Sequence, residues 1–230
     1  MTRLNKFLAA AGHGSRRSCE ELIVSGKVAI NGKVVTNLAT QVKPIDTVTV
    51  SGRRCRREEA VYLLLNKPTG VVCSRLAQGR RKTVFDLVPG DLARLFYIGR
   101  LDLDSEGLLI LTNDGDAAQR LTHPGHKLEK TYVVELEQDF DFALVPRLVN
   151  GFMIESGYAK AEAMFKISKR HLKVILTQGL KRQIRLMFLK FGYKVRKLQR
   201  VQMGGIKLGK LRPGTWRLLT DDEIAGLKGS

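Results

Sequence analysis

Three carboxylates fall within one short stretch of an otherwise strongly basic chain. They are Asp102, Asp104 and Glu106, in Gly99-Arg100-Leu101-Asp102-Leu103-Asp104-Ser105-Glu106-Gly107. The apolar run Leu108-Leu109-Ile110-Leu111 follows at once, and Asn113-Asp114-Gly115 closes it with a turn signal. A carboxylate on a loop that feeds a buried strand is held by the strand and still faces a cleft, a common mounting for a catalytic group. Arg100 lies on the same side of an extended chain as Asp102, because side chains alternate with period two. A solvated acidic turn beside an arginine is the plainer reading of these residues, and the basic surroundings argue against it. Converging carboxylates also hold the ions of two-metal nucleases. A metal-dependent nuclease built on Asp102, Asp104 and Glu106 is therefore an alternative, which Arg100 opposes.

The elements that must position this loop are mixed strands and helices. Val61 to Leu65 reads as a strand, Asn66-Lys67-Pro68-Thr69-Gly70 as a turn and Val71-Val72-Cys73 as a second strand. Lys67, on that turn, is placed either to contact phosphate or to be solvated. Gly79 to Lys82 is a basic loop, and Thr83 to Leu87 begins an element that Pro89-Gly90 stops. Tyr97 and Ile98 lead into the acidic loop. Asp116 can cap a short helix through Leu121, and residues 128–136 alternate as a strand. Residues 140–149 read as a helix with a break near Pro146, and 173–176 as a strand. Gln183 to Phe191 reads as a helix with Ile184, Met187 and Phe188 on one face. Strands follow at 194–201 and 216–219, then a final helix from Asp221. Without strict alternation of strand and helix, the expected class is α+β with a mixed, mostly antiparallel sheet.

The N-terminal part has its own pattern. Leu4, Phe7, Leu8 and Ala11 follow helical spacing, Gly12-His13-Gly14 breaks that helix, and Ser15 can cap a second one carrying Arg16 and Arg17 in its first turn. A hairpin with an Asn31-Gly32 turn follows, then a strand at Val48-Thr49-Val50. Arginines at a helix start suit phosphate contacts. Ser51 to Glu59, with Arg53, Arg54, Arg56 and Arg57, reads as a linker.

The whole chain has 230 residues, 43% of them hydrophobic, enough for a small domain joined to a medium one. No apolar run reaches membrane-spanning length and no leader pattern opens the chain. Cys19, Cys55 and Cys73 form no CxxC, and His13, His123, His126 and His171 have no metal-ligand spacing. His123 and His126 are separated by Pro124-Gly125 and read as a loop. A soluble protein of a reducing cytoplasm fits. The net charge of +18, with no Asp or Glu at all from Lys166 to Arg217, implies a polyanionic partner, nucleic acid before membrane.

Arg3-Leu4-Asn5-Lys6, Gly14-Ser15-Arg16-Arg17, Gly26-Lys27-Val28 and Ile30-Asn31-Gly32-Lys33 resemble an S4 RNA-binding domain. The resemblance covers about the first fifty residues and implies RNA contacts at Arg16, Arg17 and Lys33. Gly99-Arg100-Leu101-Asp102, Lys130-Thr131-Tyr132 and Gln183-Ile184-Arg185 resemble a pseudouridine synthase of the ribosomal RNA-modifying branch. So do Asn66-Lys67-Pro68-Thr69-Gly70, Asn113-Asp114-Gly115-Asp116 and Trp216-Arg217-Leu218-Leu219-Thr220-Asp221-Asp222-Glu223. Asp104-Ser105 and Gln178-Gly179-Leu180 are most similar to the large-subunit enzymes of the F and B types.

The resemblance implies an S4 domain with linker over 1–59 and a catalytic domain over 60–230. It makes Asp102 the catalytic carboxylate, which attacks C1′, adds to C6 or removes a sugar proton. Arg185 would keep Asp102 ionised through a bidentate fork. Tyr132 would stack on the uracil, Arg100 would fill the gap left by a flipped-out uridine, and Ile184 would floor the pocket. The implied substrate is 23S rRNA, with 16S rRNA or a tRNA as alternatives. No metal and no cofactor is called for, and a monomer is expected. Two positions depart from the family: Gln178-Gly179-Leu180-Lys181 replaces a usual Glu-Gly-Arg-Asn, and Leu186 replaces a frequent second Arg. Both bear on the substrate rather than the reaction. An assembly factor that binds RNA without catalysis is the other reading, opposed by the intact Asp102, Tyr132 and Arg185.

Overall fold

The computed structural model describes every residue except 76–78, 91–93, 124 and 230, so Pro124 of the His123–His126 loop lies outside the described residues. The chain divides into two compact units, Met1–Val61 with Asn113–Gly115, and Tyr62–Thr112 with Asp116–Ser230.

The first unit contains β1 (Thr2–Arg3), α1 (Leu4–Ala10), α2 (Arg16–Val24), β2 (Val28–Ile30), β3 (Lys33–Val34), β4 (Gln41–Val42), β5 (Val48–Val50) and β6 (Arg53–Arg54). Leu4 and Leu8 of α1 pack with Cys19 and Ile23 of α2 in a shared core. Ser15 caps α2, its Oγ accepting the Ser18 N–H at 3.1 Å. Asn31 and Gly32 both take positive φ, 50° and 80°, as a two-residue hairpin turn demands. The strand order is β3-β2-β5-β6. Part of the stretch expected to be linker is therefore sheet. Ser51 and Gly52, at φ 47° and 78°, make a second tight turn that folds Arg53–Arg54 back onto β5.

The second unit contains β7 (Tyr62–Lys67), β8 (Phe96–Ile98), β9 (Glu106–Thr112), α3 (Gly115–Thr122), β10 (Lys130–Leu136), α4 (Val145–Asn150), β11 (Phe152–Ile154), β12 (Gly157–Ala159), β13 (Ala163–Lys166), β14 (His171–Leu176), α5 (Gln183–Leu189), β15 (Val195–Met203), β16 (Ile206–Lys207), β17 (Trp216–Leu218) and α6 (Asp221–Gly229). Its sheet runs β13-β14-β10-β15-β9-β7-β17, with β16 on β15 and β8 on β9. Among the described residues β15–β9 is the parallel pairing and the others are antiparallel. The class is α+β with a mixed, mostly antiparallel sheet.

Two hydrophobic cores serve this sheet. One gathers Val134, Leu172, Val174 and Leu198 with Ile184, Met187 and Phe188 of α5. The other gathers Leu64, Leu108 and Ile110 with Ala117 and Leu121 of α3 and Leu227 of α6. Each fully buried Leu or Ile contributes roughly 1.5–3 kcal/mol of transfer free energy. The C-terminal helix is fixed by polar contacts as well. Thr220 and Glu223 exchange backbone-to-side-chain bonds in a capping box, at 3.0 and 3.3 Å. The Arg217 fork donates to both Glu223 oxygens at 2.7 Å.

Three local expectations are revised. The strand β7 continues through Asn66 and Lys67, which the sequence had suggested as a turn. Val71-Val72-Cys73 forms only an isolated bridge, Val72 to Thr83. Pro146 starts α4 instead of breaking a helix, because its missing N–H costs nothing in a first turn.

Gly107 allows β9 and β15 to lie side by side. At φ +105° its ideal Cβ would overlap the Arg200 carbonyl oxygen and lie 2.8 Å from the Arg200 nitrogen. This close approach sets β15, and the side chains it carries, against the loop that precedes β9.

Candidate active site

The loop from Gly99 to Ser105 is pinned through its backbone. The Ser105 N–H donates to Asp102 O at 3.1 Å, closing a turn, and the Gly70 N–H donates to Leu103 O at 2.8 Å. Lys67 reaches the loop from β7. It is 0% exposed, and its Nζ donates to Ser105 O at 2.7 Å, Asp102 O at 3.0 Å and Pro68 O at 3.1 Å. Burial pulls its pKa below the usual lysine range. Lys67 thus corrects the phosphate-contact expectation. Three ammonium protons meet three carbonyl oxygens, and none is left for RNA.

The three acids of the loop diverge. Asp104 is taken by arginines. The Arg182 fork donates to Oδ1 and Oδ2 at 3.2 and 3.0 Å, and Arg185 Nε lies 3.1 Å from Oδ2. Burial raises the Asp104 pKa, but the Arg182 hydrogen bond and the charges of Arg185 and Arg182 outweigh it and leave the carboxyl below the usual range. Glu106 pairs with Lys197 at 3.1 Å. The half-buried Asp102 carboxylate has no hydrogen bond or ion pair among the described residues. This divergence is the opposite of what a two-metal centre needs.

Arg185 departs from expectation in its partner. Its Nη2 donates to Asp104 O at 2.7 Å and its Nη1 to Val195 O at 2.9 Å. The bidentate fork in this site is Arg182 on Asp104, and the expected fork of Arg185 on Asp102 is absent. The two Nη groups of Arg185 tie β15 to the loop, while its buried Nε has no hydrogen-bond partner among the described residues. Burial lowers the Arg185 pKa, against which the charges of Asp104 and, less strongly, Asp102 act. Asp102 therefore feels Arg185 through space.

Asp102 opens onto a cleft of about 1010 Å³, also lined by Arg100, Tyr132, Ile184, Lys130 and Arg200. Arg100 is exposed. Tyr132 and Ile184 show only 8% and 4% of their surfaces, so each offers the cleft one face and the core the rest. In the first unit Arg16 and Arg17 are exposed in the opening turn of α2, and Lys33 is exposed on β3.

The sequence reading passed over several residues here. Arg182 holds Asp104 from a left-handed conformation, φ 53°, just before α5, a backbone cost of the kind found at functional sites. Lys130 donates to Leu128 O and Thr177 O at 2.9 and 3.0 Å. Burial and the neighbouring Arg200 lower its pKa to about 8. Cys73 lines the same cleft, and burial pushes its thiol pKa up. The signal for Arg200 was available: on β15 it shares the inward face with Leu198, where a charge is out of place.

An α+β sheet carrying one unengaged carboxylate in a cleft walled by cations describes an enzyme for an anionic substrate. Comparison with known proteins makes the class specific. The model of the RNA pseudouridylate synthase family matches residues 61–190, that of the S4 domain residues 2–48, and the chain belongs to the RNA pseudouridine synthases. Ribosomal large subunit pseudouridine synthase B of Bacillus subtilis is 41% identical over 99% of this chain and 96% of its own length. The dual-specificity RNA pseudouridine synthase RluF of Escherichia coli is 39% identical over 98% of this chain and 78% of its own. A crystal structure of a pseudouridylate synthase superposes with a TM-score of 0.71 at 30% identity, covering 99% of this chain and all of that one.

Proposed function

We propose that this chain converts a specific uridine of large-subunit ribosomal RNA to pseudouridine, with Asp102 as the catalytic carboxylate. The observation that carries the reading is the state of Asp102. Its loop is anchored at the backbone of Asp102, Leu103 and Ser105, its neighbouring acids are spoken for, and among the described residues its own carboxylate is left free in the cleft. The relative named for the large subunit supports that substrate, and the relative named as dual-specific is consistent with a second RNA, for which a tRNA is the alternative.

The reaction detaches uracil at N1, turns it and rejoins C5 to C1′. Every atom is conserved and nothing is oxidised or reduced, and the reading assigns no cofactor and no metal. Tyr132 stacks on the uracil and Ile184 floors the pocket. Arg100 enters the RNA stack in place of the flipped uridine, whose target atoms are out of reach while it is stacked. Arg185 supplies positive charge near Asp102 while bracing its loop. Residues 1–59 dock the RNA through Arg16, Arg17 and Lys33, and residues 60–230 do the chemistry. The reading places the enzyme in the cytoplasm as a monomer.

The test uses ribosomal RNA from cells lacking the gene, incubated in EDTA with wild-type protein or Asp102→Asn. Pseudouridines are mapped by carbodiimide-stopped primer extension. A new stop with wild type and none with the variant is expected. No new stop on any ribosomal or transfer RNA, with binding intact, would replace this reading with a non-catalytic RNA-binding factor.

A further inference from the structure

Arg200 is the deepest cation of the cleft. It is 1% exposed, yet among the described residues its guanidinium has a single hydrogen bond, Nε to Leu108 O at 2.7 Å, and its buried Nη2 has no hydrogen-bond partner. A buried charged donor left unmet is costly and calls for a partner that arrives later. Among the described residues no carboxylate fills that role: Asp104 is held by Arg182 and Arg185, Glu106 by Lys197, and Asp102, in the same cleft, makes no ion pair with Arg200. Arg200 instead adds to a cluster of cations, depressing the pKa of both Lys67 and Lys130.

Its placement says what the partner is. Arg200 faces Tyr132 directly across the β10–β15 ladder, so the two side chains share one face of the sheet. Lys130, two residues before Tyr132 on β10, belongs to the same face. An ideal Cβ at Gly99 would lie 3.9 Å from Arg200 Nη1, which sets the guanidinium beside the loop that carries Asp102. Backbone phosphates stay on the outside of a bound RNA, where the exposed Arg81 and Lys181 of the cleft rim can meet them. The group that reaches the floor of the cleft is the base.

We propose that Arg200 is a catalytic residue whose free Nη2–H donates to a carbonyl oxygen of the uracil ring and stabilises the negative charge that ring carries while detached. The inference rests on the pseudouridine synthase reading. When the C1′–N1 bond breaks, its electron pair stays with N1 and spreads onto O2 and O4. The ring then turns, C5 uses an electron pair to form the new bond to C1′, and the C5 proton leaves to solvent or a base. Between those two bond changes the uracil is an anion. A preorganised donor aimed at charge that develops only then accelerates the reaction more than it strengthens binding. Tyr132 holds the ring by its face and leaves the ring edge, where the oxygens lie, to Arg200 and the Lys130 ammonium behind it.

The test compares Arg200→Gln and Arg200→Lys with wild type on two versions of the target RNA, one with uridine and one with 5-fluorouridine at the modified position. Fluorine withdraws electron density, so the detached fluorouracil anion needs less help. Single-turnover loss of the C1′–N1 bond, RNA affinity and thermal unfolding are read together. On uridine RNA, Arg200→Gln should lose about 10²–10³-fold in rate, the cost of removing one such donor. Its affinity should stay near wild type. On fluorouridine RNA the loss should be about tenfold smaller. Where Arg200→Gln fails to fold, Arg200→Lys, whose single ammonium cannot both bond Leu108 O and occupy the Nη2 position, carries the same comparison. An equal loss on both RNAs overturns the proposal, as does an unchanged rate. Weaker binding at an unchanged rate also overturns it, by putting a phosphate at Arg200. If the wild type itself forms no pseudouridine, the functional reading fails first, and the two failures are distinct.

Discussion

Replacing Lys67 with methionine separates two views of the residue that differ in what an experiment reads. The ammonium meets three backbone carbonyls, of which Ser105 O is buried and those of Asp102 and Pro68 are partly so. Leaving one buried acceptor unmet costs roughly 1–3 kcal/mol, and water can reach the other two. Removing a desolvated ammonium gives some of that back, so Lys67→Met should destabilise by about 2 kcal/mol. The larger effect should be on chemistry. Two of the lost bonds hold the backbone at Asp102 and at Ser105, and a displacement of about 1 Å can cost roughly 10²-fold in rate. Urea unfolding, single-turnover pseudouridine formation and RNA binding against salt are the measurements. Stability should fall, the rate should fall by about 10²-fold, and affinity and its salt slope should hold. A phosphate contact predicts the reverse: weaker binding, a salt slope shallower by about one, and an unchanged rate. That second pattern would refute the assignment.

Other outcomes follow from the same geometry. Gly107→Ala puts a methyl group into the β15 backbone at a strained φ, and should cost roughly 2–5 kcal/mol, whereas Gly179→Ala, with nothing within 4 Å, should unfold in urea like wild type. The Lys130 pKa of about 8 lies below the free value of 10.5, so across that window the unfolded chain holds a proton the folded chain has lost. Lys130 therefore makes stability rise with pH between those values, and Lys130→Met should flatten the rise when denaturation midpoints are compared from pH 7.5 to 10. Replacing Arg16 and Arg17 together with alanine should weaken RNA binding and reduce its salt slope by about two, with the single-turnover rate at saturating enzyme unchanged.

The parts of this molecule written in local code were readable in advance. Helical spacing placed Ile184, Met187 and Phe188 on the buried side of α5, and the Asn31-Gly32 pair marked its hairpin because few other residues tolerate two positive φ values. Ser51-Gly52 makes a similar turn less conspicuously, because its arginine-rich flanks carry the pattern of a linker. What stayed hidden depends on who meets whom across the sheet. Lys67 follows Pro-ward from an apolar run, and in one dimension it looks like a turn lysine. Only the pairing of β7 with β9 carries it under the Asp102 loop. The choice between Asp102 and Asp104 as partner of Arg185 is likewise a matter of ångströms between segments about eighty residues apart. Motif order can name both ends of such a contact without saying which carboxylate receives it.

The division of labour between the two arginines of α5 and its approach explains why Asp102 is left alone, and it can be tested at Arg185. A carboxylate locked in a fork is a poor nucleophile or base, since its lone pairs are already engaged. The structure meets this by spending Arg182 and Arg185 on Asp104 and Lys67 on backbone carbonyls, so Asp102 receives positive field without a hydrogen bond. If Arg185 mattered only for that field, Arg185→Lys would keep it and preserve most of the rate. But its guanidinium bridges Asp104 O and Val195 O, 2.7 and 2.9 Å from separate Nη atoms, and a single ammonium cannot take both positions. The loop and β15 should loosen together. Arg185→Lys should thus lose about 10–10²-fold in single-turnover rate. Amide exchange should quicken at both Ser105 and Val195. A variant that kept the wild-type rate would show that charge alone suffices and that the bridge to Val195 does nothing for catalysis.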